Sequence, residues 1–448
     1  MNFSVLTDQA AVAYYVAELG GTNPPSAVSL QNTGTAVVLT PNQAQTVTIN
    51  NLAVATTYSV HIMVRDTVRG VNSSVRSIGL ISGGGRDALV WPFSSSSIWN
   101  MPIGRNAVYV PANLPPVPGL PPAGDGTMSQ SAPMPGVDIE QIIQTPTAPL
   151  TPLRENTVGW SAGNRCFNSP TTTNTTFINV PMPADFLIAE SRQNNATVFL
   201  DVDGRTLIQS QPTARCAAGE PVTSSILFPI REDLYGTGIS GSHGGSRLSA
   251  LGGTLRLGEL RPNLAPPRHA LKIDLDTREV VAPCSPRANC FRWPALSSDS
   301  DATTSYGSRA IANVSPAMRM GALLALPISL NINTIGLETD AAKQIAWVLQ
   351  NYGAYVVDST SFPAYLIATE NGPNGSFLQQ FKQDWGFDFD QRVSFNSAWV
   401  RDWQKLIAAL NVVDNNSPTT IGGGGTPLQP LAPAFSQQSR PKPKAKGR

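Results

Sequence analysis

Glycine and proline interrupt this chain so often, 37 and 38 times in 448 residues, that few stretches can carry a helix and many have the length of a strand. Proline removes a backbone donor and clashes inside helices, and glycine frees the backbone for turns. Between these breakers the apolar residues alternate with period two, as in FSVLTD, AVAYYVAEL, AVVLT, TVTINNL, YSVHIMV and SVRSIGLI. Such spacing predicts strands with one face buried. The expectation is a mainly β protein. Its length exceeds one ordinary hydrophobic core, so two domains with tails are expected.

Charged residues make up 14% of the chain and the formal net charge is +1, which offers no basic surface for nucleic acid. The longest apolar candidate, Gly321 to Leu330, is broken by Pro327, so no membrane span is expected. The N-terminus MNFSVLTDQ lacks the basic and apolar regions of a secretory leader. Export is therefore expected from a leader not carried here or by another route, such as assembly into a virus particle. Cys166, Cys216, Cys284 and Cys290 allow three pairings. The short gap in CSPRANC points to Cys284 with Cys290, leaving Cys166 for Cys216; four free thiols in a reducing compartment are the alternative. No histidine stands at zinc-ligand spacing from them, and no metal or cofactor is expected.

Residues 1–82 hold five to six short strands, 83–87 (GGGRD) a linker, and 88–421 a larger β-rich domain. Within the latter, a proline-rich segment at 111–152 is expected to wrap over the rest, with one or two helical turns at Asp138 to Gln144. ATVFLDVDGRTLIQSQP reads as a hairpin turning at Asp203-Gly204. DAAKQIAWVLQNY, from Asp340 to Tyr352, and SAWVRDWQKLIAAL, from Ser397 to Leu410, read as amphipathic covering helices. Residues 422–448 read as a glycine- and proline-rich basic tail, disordered at its end.

The stretch NLAVATTYSVHIMVRDTVRGVNSSVRS, with Leu52 and Tyr58 six residues on, resembles the end of a fibronectin type III module. That resemblance covers the first fifth of the chain, implies an Ig/FnIII-like sandwich with a spacer or adhesive role, and implies no catalytic residue. His61 within it is read as structural. Residues 88–435 resemble an uncharacterised domain of environmental bacterial proteins, through SIWNMPIG, DGRTLIQSQPTARC, GSHGGSRLSALGGTLRLGEL, PPRHALKIDL, LQNYGAYVVDST and VDNNSPTTIGGGGTPL. The resemblance implies no established activity, only that such domains sit beside adhesive or carbohydrate-associated modules. The larger domain is expected to be a jelly-roll-like β-sandwich with a few covering helices.

Candidate chemistry gathers between Asp233 and Asp274, which holds two of the three histidines and many glycines. Hydrolysis of a sugar polymer needs two carboxylates across the bond, and Glu220, Asp233, Glu259 and Asp274 are available. Elimination at a uronic acid needs a histidine or tyrosine base with cations to neutralise the sugar carboxylate. His243, Glu259 and His269 are the expected catalytic residues; Arg215, Tyr235, Lys272 and Tyr306 are the expected substrate contacts. Alternation in HALKIDL turns Lys272 and Asp274 one way and His269 the other. Trp91, Trp99, Trp160 and Trp293 are candidate sugar platforms, though core packing is the simpler role for most. The expected function is an extracellular or virion-associated carbohydrate-active protein that binds and cleaves a polysaccharide or cell-surface glycan, by hydrolysis or elimination. The alternative is a non-catalytic structural or adhesive component of a fibre, particle or surface layer, with homo-oligomer or particle assembly.

Overall fold

The computed structural model describes residues 2–19, 24–49, 57–81, 86–115, 136–160, 164–190, 194–360, 362–391 and 397–435. The chain forms two compact units. One is residues 1–87 with 261–266 and 433–448; the other is 88–260 with 267–432.

In the first unit all six alternating stretches become strands: β1 (Asn2–Val5), β2 (Ala11–Leu19), β3 (Thr35–Leu39), β4 (Gln45–Thr48), β5 (Thr57–Asp66) and β6 (Arg76–Ile81). The order β3-β2-β5-β6 makes a four-stranded antiparallel sheet, and β1 pairs with β4. Alternation buries Ala11, Ala13 and Leu39 together. His61 is buried in β5 with Nδ1 2.7 Å from Ser77 Oγ on β6. Burial lowers its pKa more than nearby Glu18 raises it, in keeping with the structural role read from sequence. Helix α1 (Ala27–Thr33), capped by Ser26, was not anticipated. Leu52, residues 83–85 of the linker and the tail beyond residue 435 lie outside the described residues.

The second unit is mainly β with a few helices, as expected. Its strands are β7 (Tyr109–Pro111), β8 (Gly136–Ile143), β9 (Leu150–Asn156), β10 (Thr172–Pro181), β11 (Thr197–Leu200), β12 (Thr206–Ala214), β13 (Val222–Leu227), β14 (Glu232–Asp233), β15 (Ser240–His243), β16 (Leu271–Leu275), β17 (Leu323–Ala325), β18 (Ala354–Ser359), β19 (Tyr365–Gly372), β20 (Gly375–Ser376) and β21 (Asn411–Val413). Hydrogen bonding runs along the path β10-β9-β13-β12-β11-β8-β19-β16-β18-β17-β21-β7, with β14 on β12 and β20 on β19. The hairpin read at Asp203-Gly204 is β11 with β12, Leu200 facing Leu207. The pairs β13/β9, β11/β8, β8/β19 and β16/β18 are parallel. Parallel strands are covered on both faces and lose simple alternation.

That geometry corrects the reading of Asp138 to Gln144 as helical turns in a wrapping segment. Asp138 to Ile143 lie in β8, a central strand flanked by two parallel partners. The tail boundary also moves. Gly422 to Gly425 all adopt positive φ, and a Cβ at Gly423 or Gly425 would press on Ala107 or Asn106. These glycines let the chain pack closely on 102–107, so residues up to 432 belong to the second unit.

Among the described residues five α-helices attach: α2 (Thr277–Val280), α3 (Ala302–Ser305), α4 (Asp340–Asn351), α5 (Phe377–Trp385) and α6 (Ala398–Ala408). α4 and α6 match the amphipathic stretches and are capped by Thr339 and Ser397; α5 was not anticipated. Phe381 of α5, Phe389 and Trp399 of α6 stack with centroids 5.0 to 5.4 Å apart. No helix among the described residues is long and apolar enough to cross a membrane.

Both expected disulfides form, Cys166–Cys216 and Cys284–Cys290, spanning separations of 50 and 6 residues. Because a longer closed loop costs the unfolded chain more entropy, the first should stabilise by about 4 kcal/mol and the second by about 2. Denaturant titration of C166S/C216S and C284S/C290S should show the larger loss for the first pair; the reverse order would contradict it.

Candidate active site

The neighbouring strands β8, β19, β16 and β18 put their ionisable residues on one face. Asp138 and Glu140 stand opposite Ala368 and Glu370, Asp274 opposite Leu366, and Asp274 opposite Asp358 across β16 and β18. Ala368 on the intervening strand is too short to separate the charges of β8 from those of β16. Lys272, fully buried, donates to Glu140 Oε1 and to the carbonyls of Ser249 and Ala250 at 3.1 and 2.9 Å. His243, equally buried, places Nδ1 on the same Glu140 oxygen and Nε2 3.1 Å from Asp274 Oδ1, with Asp138 Oδ2 at 4.0 Å.

Two cations thus face three carboxylates with no water-exposed surface on either cation. Burial alone would push Glu140 up, but Lys272 and His243 outweigh it and hold it below the usual range. Burial would lower His243, yet Glu140 and Asp274 raise it well above its ordinary value. Lys272 is lowered by burial, with Glu140 opposing. Asp138 is pushed up to about 7 by burial and by the charge of Asp274.

His243 ends β15 and begins a tight turn. Gln209, fully buried, clamps that hairpin: its Nε2 donates to the Ser240 carbonyl at 2.9 Å and its Oε1 accepts from Ser242 and Ala250 N–H at 3.3 and 2.9 Å. The turn passes through Gly244 at φ +48° and Gly245. A Cβ on Gly244 would come within 2.0 Å of Asp358 Cγ, and one on Gly245 within 2.6 Å of Asp299 Oδ1. Two consecutive glycines therefore admit two carboxyl groups, which a side chain at either position would displace.

Both carboxyls line a cleft of about 500 Å³. Asp358 accepts from Gly245 N–H at 2.8 Å and from Asn194 Nδ2, whose amide oxygen accepts from Trp160 Nε1 at 2.8 Å. Trp160 lines the same cleft and keeps 48% of its surface exposed. Asp299 Oδ2 accepts from Tyr306 Oη at 2.7 Å. Burial, then the charge of Asp299, lifts Asp358 well above the carboxylate range. Burial also lifts Asp299, against the Tyr306 hydrogen bond that lowers it.

Of the residues expected between Asp233 and Asp274, His243, Lys272, His269 and Glu259 separate into two pairs. His243 meets Lys272 (3.4 Å) in the buried cluster; His269 Nε2 meets Glu259 Oε2 (3.1 Å) elsewhere. Glu259 also accepts from Arg256 N–H, while the Arg256 guanidinium donates to Glu370. Burial would lower His269, but Glu259 raises it. The direct catalytic or substrate-contacting roles expected for His243 and Lys272 are corrected here, since both are completely buried. Arg215 is likewise spent inside, on the carbonyls of Glu220 and Pro183 at 2.9 and 2.6 Å. Tyr235 lies 5.4 Å beneath Arg205, which pairs with Asp233. Of the expected residues, Tyr306 reaches the cleft carboxyls.

Asn194, Asp299 and Asp358 were missed. Asp358 had a signal, an acid closing the apolar strand AYVVD, as did the acids alternating in GVDIEQII; Asp299, in a serine-rich loop, had none. Asp138, His243 and Asp274 offer ligand atoms within 4.8 Å of one another, but a metal there would have to displace the His243 proton held between carboxylates. No protein-family model matches the chain, and neither a curated protein nor a solved structure does.

Because Asp138 holds its proton longer when folded, it binds more protons than the unfolded chain between about pH 4 and about pH 7, and its share of stability declines across that window. D138N lacks this dependence. Its stability relative to wild type should rise from about pH 4 to about pH 7 and level off above; denaturation midpoints measured at several pH values that keep a constant difference would contradict this.

Proposed function

We propose that the protein is an extracellular-type, carbohydrate-active hydrolase that binds a polysaccharide in this cleft and cuts its glycosidic bonds with Asp358 and Asp299. The observation that carries the reading is the pair of raised carboxyls against Gly244 and Gly245 in a polar cleft. Glycoside hydrolysis asks for one carboxyl that keeps its proton and one that gives it up. Asp358, the more buried, is the acid: its proton passes to the glycosidic oxygen as the bond from the anomeric carbon breaks. Water supplies hydroxyl to that carbon, and its remaining proton ends on Asp299. Trp160 offers an exposed ring face for a sugar, with its N–H fixed by Asn194. Two disulfides suit an oxidising compartment.

Elimination is less well supported. Tyr306 is the tyrosine at hand, but burial and the adjacent Asp299 push its pKa far up, which makes it a poor base.

Purified protein should release new reducing ends, without unsaturated uronate absorbance, from at least one member of a panel of acidic and neutral polysaccharides. D358N and D299N should each lower kcat by about a hundredfold or more with little change in melting temperature. Wild-type turnover in both variants would sink the assignment, and an unsaturated product would select a lyase instead.

The pH profile is a second check. Activity should fall at high pH as Asp358 loses its proton and at low pH as Asp299 gains one, and both limbs should sit above the ordinary carboxylate range. D358N should lose the alkaline limb selectively.

A further inference from the structure

We propose that the cleft takes an acidic polysaccharide, and that Arg247 is the specificity residue that grips the anionic group of one sugar. The inference rests on the glycan-cleft reading above and narrows its substrate class. Three guanidinium groups line the cleft, those of Arg247, Arg278 and Arg287. Arg278 is held by Asp276 in a two-point pair at 2.8 and 2.6 Å, and Arg287 donates to Ser297 Oγ at 3.1 Å and to the Ser298 carbonyl. Arg247 is exposed, and its side chain makes no hydrogen bond or ion pair with any described residue.

Its backbone is unusual as well. Arg247 sits at φ +56°, the left-handed region that non-glycine residues rarely enter. The hairpin holds it there, with its N–H on the His243 carbonyl at 3.1 Å and its own carbonyl accepting from Gly241 N–H at 2.9 Å. Glycine or asparagine would suit that conformation better, so an arginine there points to a use for its side chain. The same turn carries Gly244 and Gly245, so the guanidinium is mounted on the segment that seats both cleft carboxyls. A planar guanidinium grips carboxylate or sulfate through two parallel hydrogen bonds, which an ammonium cannot.

The test uses wild type, R247A and R247K on alginate, polygalacturonate and hyaluronan as carboxylate chains, carrageenan as a sulfated chain, and xylan with carboxyl-reduced alginate as neutral controls. Wild type should prefer an acidic chain, and which acidic set it prefers distinguishes uronate from sulfate. R247A should raise KM for that chain by about tenfold or more with a smaller effect on kcat, and R247K should recover only part. Binding is read separately by retardation of the D358N protein, with and without R247A, in gels containing each polysaccharide. Retardation by acidic gels that R247A abolishes supports the proposal even where no chain is cut, so failure of the hydrolase reading stays distinguishable. Preference for neutral chains, or an R247A protein that binds acidic chains as wild type does, would overturn it.

Discussion

The ammonium of Lys272 is the constraint around which the second unit is arranged. A buried, unpaired ammonium costs several kcal/mol, so its three donors must be met, and they are met by Glu140 and by the carbonyls of Ser249 and Ala250. Those partners come from β8 and from the segment after the Gly244 turn, regions 132 and 22 to 23 residues away in sequence. One cation therefore joins β16, β8 and the glycine-rich hairpin. His243 repeats the arrangement by sharing the Glu140 oxygen and facing Asp274.

The cleft inherits its geometry from that cluster. His243 anchors the start of the turn, Gln209 and Ser246 fix its two sides, and Gly245 N–H then meets Asp358. Asp274 links the levels, since it touches His243 in the core and its charge also helps to lift Asp358. The histidine thus acts through its neighbours as a positioning residue. Substituting it would disturb fold and cleft together, because removing one partner of a buried ion pair typically costs about 3–5 kcal/mol.

Much of the outline could be read in the chain. Period-two alternation located all six strands of the first unit, because successive side chains of a strand point to opposite faces of its sheet. Helix periodicity located α4 and α6, and cysteine spacing located both disulfides. Reading failed at β8, where parallel neighbours bury both faces and the acids of GVDIEQII look like those of a surface helix. It failed also at the glycine run 422–425, whose composition resembles a linker but whose missing side chains permit close packing.

For the candidate site, the segment around His243 was recognisable from glycine density and rare histidines, and alternation in HALKIDL correctly paired Lys272 with Asp274. What the sequence by itself determined was therefore the β character, the disulfides and the segment on which the cleft turns. Which side chains face the cleft was decided only by tertiary structure. Asn194, Asp299 and Asp358 are far apart in sequence and meet through strand order and the space left by two glycines. Burial, a property of the packed fold, then lifts the pKa of both Asp299 and Asp358.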